Sequence, residues 1–231
     1  MKTVDRGSPG IWGSLGWLML FFVLQGLTSM VAGAIRATEV GPENVVLDAQ
    51  MGVLLGGALL ISGAAIIALR HKHLLAEITP IVGMHWWKVA SLLFLGLIGI
   101  NLAYDLVILG DRYSQPEMQI FIDGARTGII PSFIIIMAIV VVAPIAEEIL
   151  FRGQLQPAVE KRFGPWPAII GPAILFGAVH LQPWAAPPLI IAGIFLGWLR
   201  WKTGSLLAPI TFHIIMNALA MTIMISTGQV S

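Results

Sequence analysis

Seven residues of this chain have the types and spacing to do chemistry: Glu147, Glu148 and Arg152, then Phe176 and His180, then His213 and Asn217. Adjacent glutamates on a helix point roughly 100° apart, so Glu147 and Glu148 cannot easily share one task. Arg152 follows Glu148 by four residues, which puts the two on one helix face. In low-dielectric surroundings such a pair keeps both groups charged and fixed. Glu147 has no such partner along its own helix and is left to act as a general base or acid. The plainer alternative is that all three charges mark the cytoplasmic end of a membrane span.

Phe176 and His180 share a helix face by the same spacing, and His213 and Asn217 repeat it. His213 lies about 14 Å along its helix from Gly204, near mid-membrane, where a lone histidine is rarely filler. Either histidine alone is well explained by an interhelical hydrogen bond. Two histidines, a glutamate pair and an asparagine on three late segments could together hold a water, deprotonate it and stabilise an oxyanion. Asp105 and Asn101 add polar groups to an earlier apolar segment, and burying Asp105 is costly enough to make it a candidate too.

The elements that must position these groups follow from composition. The 231 residues are 57% hydrophobic and 11% charged, with a mean hydropathy of +0.88. A soluble domain carries about 25% charged residues; this chain has too few to coat a water-facing surface, and lipid is the solvent that fits. The absence of cysteine excludes disulfides and thiolate metal sites. A net charge of +1 gives no bulk field to draw nucleic acid, so none is expected as a partner.

A span needs roughly 20 mostly apolar residues. Ile11–Ile35, Gly52–Leu69, Val89–Gly110, Ile129–Ile145 and Gly204–Ile225 qualify, and Pro167–His180 and Pro188–Leu199 are shorter, proline-punctuated candidates. The first run is too long for the core of a signal peptide, so it is read as an uncleaved span. The expected fold is all-α: a polytopic transmembrane helix bundle of about seven spans, or eight, with a catalytic cavity between the later helices. Residues 1–130 are read as N-terminal helices and loops and 131–231 as the catalytic part of one membrane domain. Within Asp111–Gly128, a short interfacial helix and a solvated loop are equally good readings.

Lys and Arg divide ten to three between alternate inter-span segments, which puts the N-terminus in the cytoplasm and the C-terminus outside. This topology creates one conflict. A fourth span ending near Glu147 leaves the glutamates toward the cytoplasm and His180 near the far end of its own span. Continuation of the fourth helix past Arg152 toward Val159 eases it, as does a shift of the next helix by Pro165, Pro167 and Pro172. Either implies a water-filled cavity open to the cytoplasm.

No His-Glu-x-x-His helix and no Gly-x-Ser-x-Gly elbow occurs. Tyr104-Asp105 and Leu109-Gly110-Asp111 look faintly like presenilin-type aspartate motifs, but Ile108 stands where a glycine is needed. Glu147-Glu148-x-x-x-Arg152, Phe176-x-x-x-His180 and His213-x-x-x-Asn217, in that order, resemble the CPBP family. That family comprises type II CAAX prenyl proteases and Abi-like bacteriocin-processing or immunity proteins. The likeness covers about Pro131–Ile225.

The resemblance implies an endopeptidase cutting membrane-associated peptides or proteins, prenylated ones among them, within the bilayer. By it, Glu147 and His180 would activate water, and His213 and Asn217 would stabilise the oxyanion. Glu148, Arg152 and Phe176 would support them. The family has also been described as metal-dependent. Glu147, His180 and His213 are then the candidate ligands for zinc or another divalent ion, although a metal-free water activation is favoured and no other cofactor is expected. Two further readings compete: a non-proteolytic CPBP-like immunity or scaffold protein, and a small proton-coupled transporter using Asp105, Glu147 and His213. The transporter reading calls for inverted repeats, and none stands out.

Overall fold

The computed structural model describes residues 9–79, 85–104 and 116–227. Its helices are α1 (Ile11–Val40), α2 (Ala49–Glu77), α3 (His85–Tyr104), α4 (Pro116–Arg126), α5 (Ile129–Phe163), α6 (Pro165–Val179), α7 (Ala186–Thr203) and α8 (Leu207–Thr227). No strand occurs among the described residues. Asp105, the aspartate pair at 105 and 111, and the N-terminal Lys2 and Arg6 lie outside them, as does the side chain of Asn101.

Each of the seven expected apolar segments seats a helix. Five are long and apolar enough to cross a membrane: α1, α2, the Trp87–Tyr104 part of α3, α5 and α8. The chain is an integral membrane protein with a polytopic helical fold. Helix α6 has 15 residues, which at the standard rise spans roughly 22 Å, short of a hydrocarbon core about 30 Å thick. Helix α7 has 18 residues but carries Arg200 and Lys202 in its last turn. Of the two readings for Asp111–Gly128, a helix forms over Pro116–Arg126. Its Ile122 and Ala125 are buried in the protein, with Met118 and Phe121 packed partly against the same cluster.

Of the two ways to ease the conflict over the fourth span, the continuation of the helix is observed in α5. It runs unbroken for 35 residues to Phe163, well past Val159. Two stretches of it, Met137–Val142 and Phe151–Leu155, are π-helical, and each stops two residues before a proline, Pro144 and Pro157. In an α-helix a proline ring strikes the carbonyl four residues back. Widening the preceding turn to i→i+5 bonding moves that carbonyl aside. Ala143 N–H accordingly bonds to the Ala138 carbonyl, and Gln156 N–H to the Phe151 carbonyl. The α-helical segment Ala143–Leu150, which carries both glutamates, is framed by these two devices.

The protein forms two compact units. One comprises Trp17–His71, Ser114–Glu147 and α8 from His213 onward. Its core is Ile122, Ala125, Ile135, Val140 and Met221, with Val53, Ile139, Ile214 and Ala218 against it. Asp48 caps α2, its Oδ1 accepting the Met51 N–H at 2.8 Å, and pairs with Arg36. That N–H, and then Arg36, hold the Asp48 carboxyl below the usual carboxylate range. Glycines on α2 set the helix spacing: a Cβ at Gly52 would lie 1.9 Å from the Ile120 carbonyl oxygen, whereas at Gly57 it would meet nothing within 4 Å.

Gly52→Ala is therefore expected to lower stability by at least about 1–3 kcal/mol through overpacking, because backbone cannot yield as a side chain can. Gly57→Ala should stabilise by up to about 1 kcal/mol through helix propensity. Thermal unfolding of the two variants in one detergent makes the comparison. Gly52→Ala melting no lower than Gly57→Ala would contradict the close approach.

The second unit comprises α2 from Lys72, α3, and Glu148–Phe212. Helices α6 and α7 pack closely through small residues: a Cβ at Gly193 would sit 3.0 Å from the Ala173 backbone, and one at Gly177 2.6 Å from the Ile190 side chain. Gly204, at φ +67°, ends α7 in the left-handed conformation, its N–H on the Arg200 carbonyl. The turn after it binds the end of α2. Ser205 Oγ donates to the Thr79 carbonyl at 2.8 Å, and Leu206 N–H donates to that of Glu77 at 3.0 Å.

Candidate active site

In the first unit, α5 and α8 bring Glu147 and His213 face to face. The carboxylate Oε2 lies 3.7 Å from the imidazole Nε2, and the two side chains are 18% and 6% exposed. That separation is beyond a direct hydrogen bond. One turn along α8, Asn217 Nδ2 donates to the Ile139 carbonyl at 2.8 Å. The acceptor is explained by the chain itself. With Ala143 N–H taken by the Ala138 carbonyl, the next donor in the π-helical register for Ile139 would be residue 144, a proline without N–H. Asn217 supplies the missing donor. The amide has two N–H bonds, so one remains available to another acceptor.

In the second unit, Glu148 Oε1 accepts from Arg152 Nη1 at 2.7 Å, and both side chains are fully buried. Arg152 Nη2 donates to the Gly193 carbonyl at 3.0 Å. The guanidinium also lies over the Phe176 ring, 4.8 Å from its centroid, a cation–π contact strengthened by exclusion of water. Phe176 meets His180 edge-on with ring centroids 4.8 Å apart. Ion pair, aromatic ring and histidine thus form one contiguous row from α5 to the end of α6.

The tautomer of His180 follows from its partner. Nδ1 lies 2.7 Å from the Phe176 carbonyl, and a carbonyl can only accept, so Nδ1 carries the proton. In the neutral ring Nε2 is then an acceptor, the state a general base requires. Leu181, directly after His180, has φ +55° and is 87% exposed. A left-handed conformation costs a non-glycine residue roughly 1–2 kcal/mol, and such strain collects at functional sites.

The structure brings Glu147 to His213, Asn217 to the backbone of α5, and Glu148 to Arg152, which itself meets Phe176 and the Gly193 carbonyl. The i, i+4 spacing anticipated the Glu148–Arg152 pair. It could not show the acceptors of Arg152 Nη2 and Asn217 Nδ2, since both are backbone carbonyls on other helices. Pro144 and Pro157 inside one helix are the available sign that carbonyls of α5 need outside donors. Among the described residues, no group of three or more His, Asp or Glu side chains is disposed to hold a metal ion.

No curated protein and no solved structure matches this chain. Residues 129–219, from the first residue of α5 to just past Asn217, match the family described as type II CAAX prenyl endopeptidase, Rce1-like, the group to which the three motifs point.

Proposed function

We propose that this protein is an intramembrane endopeptidase whose Glu147 activates the water that attacks the scissile carbonyl. At family level the match supports a membrane-embedded CAAX-type protease acting on membrane-associated substrates. The observation that carries the finer reading is Glu147 facing His213 across 3.7 Å, within the matched residues. A water held by Glu147 gives its proton to the carboxylate as its oxygen bonds to the carbonyl carbon. The charge that develops on the carbonyl oxygen is met by N–H donors from His213 and by the second N–H of Asn217. The proton then passes to the departing amine as the C–N bond breaks.

His180 is read as a second base. Its support is the motif together with the Nδ1–H bond that leaves Nε2 as an acceptor. Glu148, Arg152 and Phe176 hold the local structure. Residues 131–231 supply the chemistry and the N-terminal helices the surrounding scaffold, a division supported by the matched segment starting at residue 129. Membrane-peptide proteomics of cells expressing wild type or Glu147→Ala tests the function. Peptides released by wild type alone are expected, and identical profiles would favour a non-proteolytic immunity or scaffold role.

The same reading places the N-terminus in the cytoplasm and the C-terminus outside, on the ten-to-three division of Lys and Arg. Reporter fusions after Arg70 and after Lys202 should read cytoplasmic, and a fusion at Gln182 external. A cytoplasmic signal at Gln182 would mean that α6 and α7 enter and leave on one side, overturning this topology.

A further inference from the structure

Helix α5 carries a second proline device, and its outside donors come from beyond the three motifs. Gln156 N–H is committed to the Phe151 carbonyl, and Pro157 has no N–H. Two carbonyls thereby lose a helical donor: Arg152 in the π-helical register and Gly153 in the α-helical one. Side chains reach both. Arg200 Nε donates to the Arg152 carbonyl at 3.2 Å, and His73 Nε2 lies 2.9 Å from the Gly153 carbonyl. Since that oxygen can only accept, His73 Nε2 is the donor. Arg200 is itself held by Glu77, which lies four residues from His73 and so on the same face of α2. The approach depends on glycine: a Cβ at position 153 would come within 3.2 Å of His73 Nε2.

We propose that His73 is a positioning residue of the active site, its Nε2–H replacing the N–H missing at Pro157 and fixing the turn that aims Arg152 at Glu148, Gly193 and Phe176. His73 lies on α2, outside the residues that match the family. The braced turn is short: Gly153 follows Arg152 directly, and Arg152 holds Glu148 at 2.7 Å, the Gly193 carbonyl at 3.0 Å and the Phe176 ring, which touches His180. Loss of the brace lets this turn move, and small displacements of a reacting group are expensive in rate. The inference rests on the protease reading for its effect on turnover, and on the structure alone for the brace.

Four full-length variants in detergent test it: His73→Leu removes the donor, His73→Gln retains one at similar reach, Pro157→Ala restores the backbone N–H, and His73→Leu/Pro157→Ala combines the two. Hydrogen–deuterium exchange over Phe151–Phe163 reports the brace, and hydrolysis of a farnesylated CAAX reporter peptide reports positioning. His73→Leu should speed exchange in this segment and lower kcat on the order of 10–100-fold, with KM changed less than about twofold. His73→Gln and the double variant should both recover most of the lost kcat, and Pro157→Ala alone should stay near wild type. Wild-type exchange and kcat in His73→Leu would overturn the proposal, as would a loss that neither second change rescues. If wild type cleaves neither the reporter nor any peptide in the proteomic comparison while exchange responds as described, the protease reading falls and the brace stands.

Discussion

Glu147→Gln is expected to bring cleavage to background while the protein still folds, and Glu148→Gln to do the reverse first. Glutamine keeps the size of Glu147 and much of its hydrogen bonding but cannot take a proton from water. The side chain is partly exposed, and its 3.7 Å approach to His213 is too long to be a strong bond, so little stability is at stake. Glu148 is different. It is fully buried against Arg152 at 2.7 Å, and removing one member of a buried pair costs about 3–5 kcal/mol, because the other charge is left behind. Glu148→Gln should therefore melt at a lower temperature or purify in lower yield, and lose activity through displacement of Arg152. Thermal unfolding and peptide turnover, measured on both variants side by side, separate the roles. An active but unstable Glu147→Gln beside a stable, inactive Glu148→Gln would reverse the assignment. Equal loss of both properties in both variants would mean that the carboxylates act as one unit.

The histidines should separate by magnitude and by chemistry. His180→Ala should lower the rate by roughly 10²–10⁴, as loss of a general base does. His213→Ala should lower it by roughly 10²–10³, as loss of one oxyanion donor does. Substitution by glutamine divides them further. Glutamine offers an N–H but no base, so His213→Gln should retain more activity than His213→Ala, whereas His180→Gln should gain little over His180→Ala. Wild-type rates in both alanine variants would make the site assignment wrong. The comparison requires folded protein, and Phe176 sets a limit there: it packs on both His180 and Arg152, so a His180 variant that melts early should be compared at a lower temperature.

Much of this arrangement was legible in the residues because its causes are local. Apolar runs of span length impose helices in lipid, since no other open structure satisfies its backbone there. Spacing of four residues put Glu148 beside Arg152 and Phe176 beside His180, as a helix of 3.6 residues per turn must. The length of α5 was harder to read. Glu147, Glu148 and Arg152 resemble a helix end by charge alone, yet the helix passes through them to Phe163, and Arg152 is buried rather than solvated. A charge that finds a carboxylate, a carbonyl and an aromatic face no longer marks a boundary.

The helical membrane class, the segments that become helices and the pairs that share a face all follow from local pattern. Which side chain meets which partner on another helix follows only from packing. Glu147 meets His213, Asn217 reaches the Ile139 carbonyl, and His73 reaches that of Gly153. The prolines account for the difference. Pro144 and Pro157 announce in the sequence that carbonyls of α5 will lack donors, since a missing N–H is a covalent fact. Which residue supplies the substitute depends on how α8 and α2 approach α5, and for α2 close packing at Gly56 and Gly153 sets that approach: a Cβ would lie 2.9 Å from the Ile135 side chain and 3.2 Å from His73 Nε2.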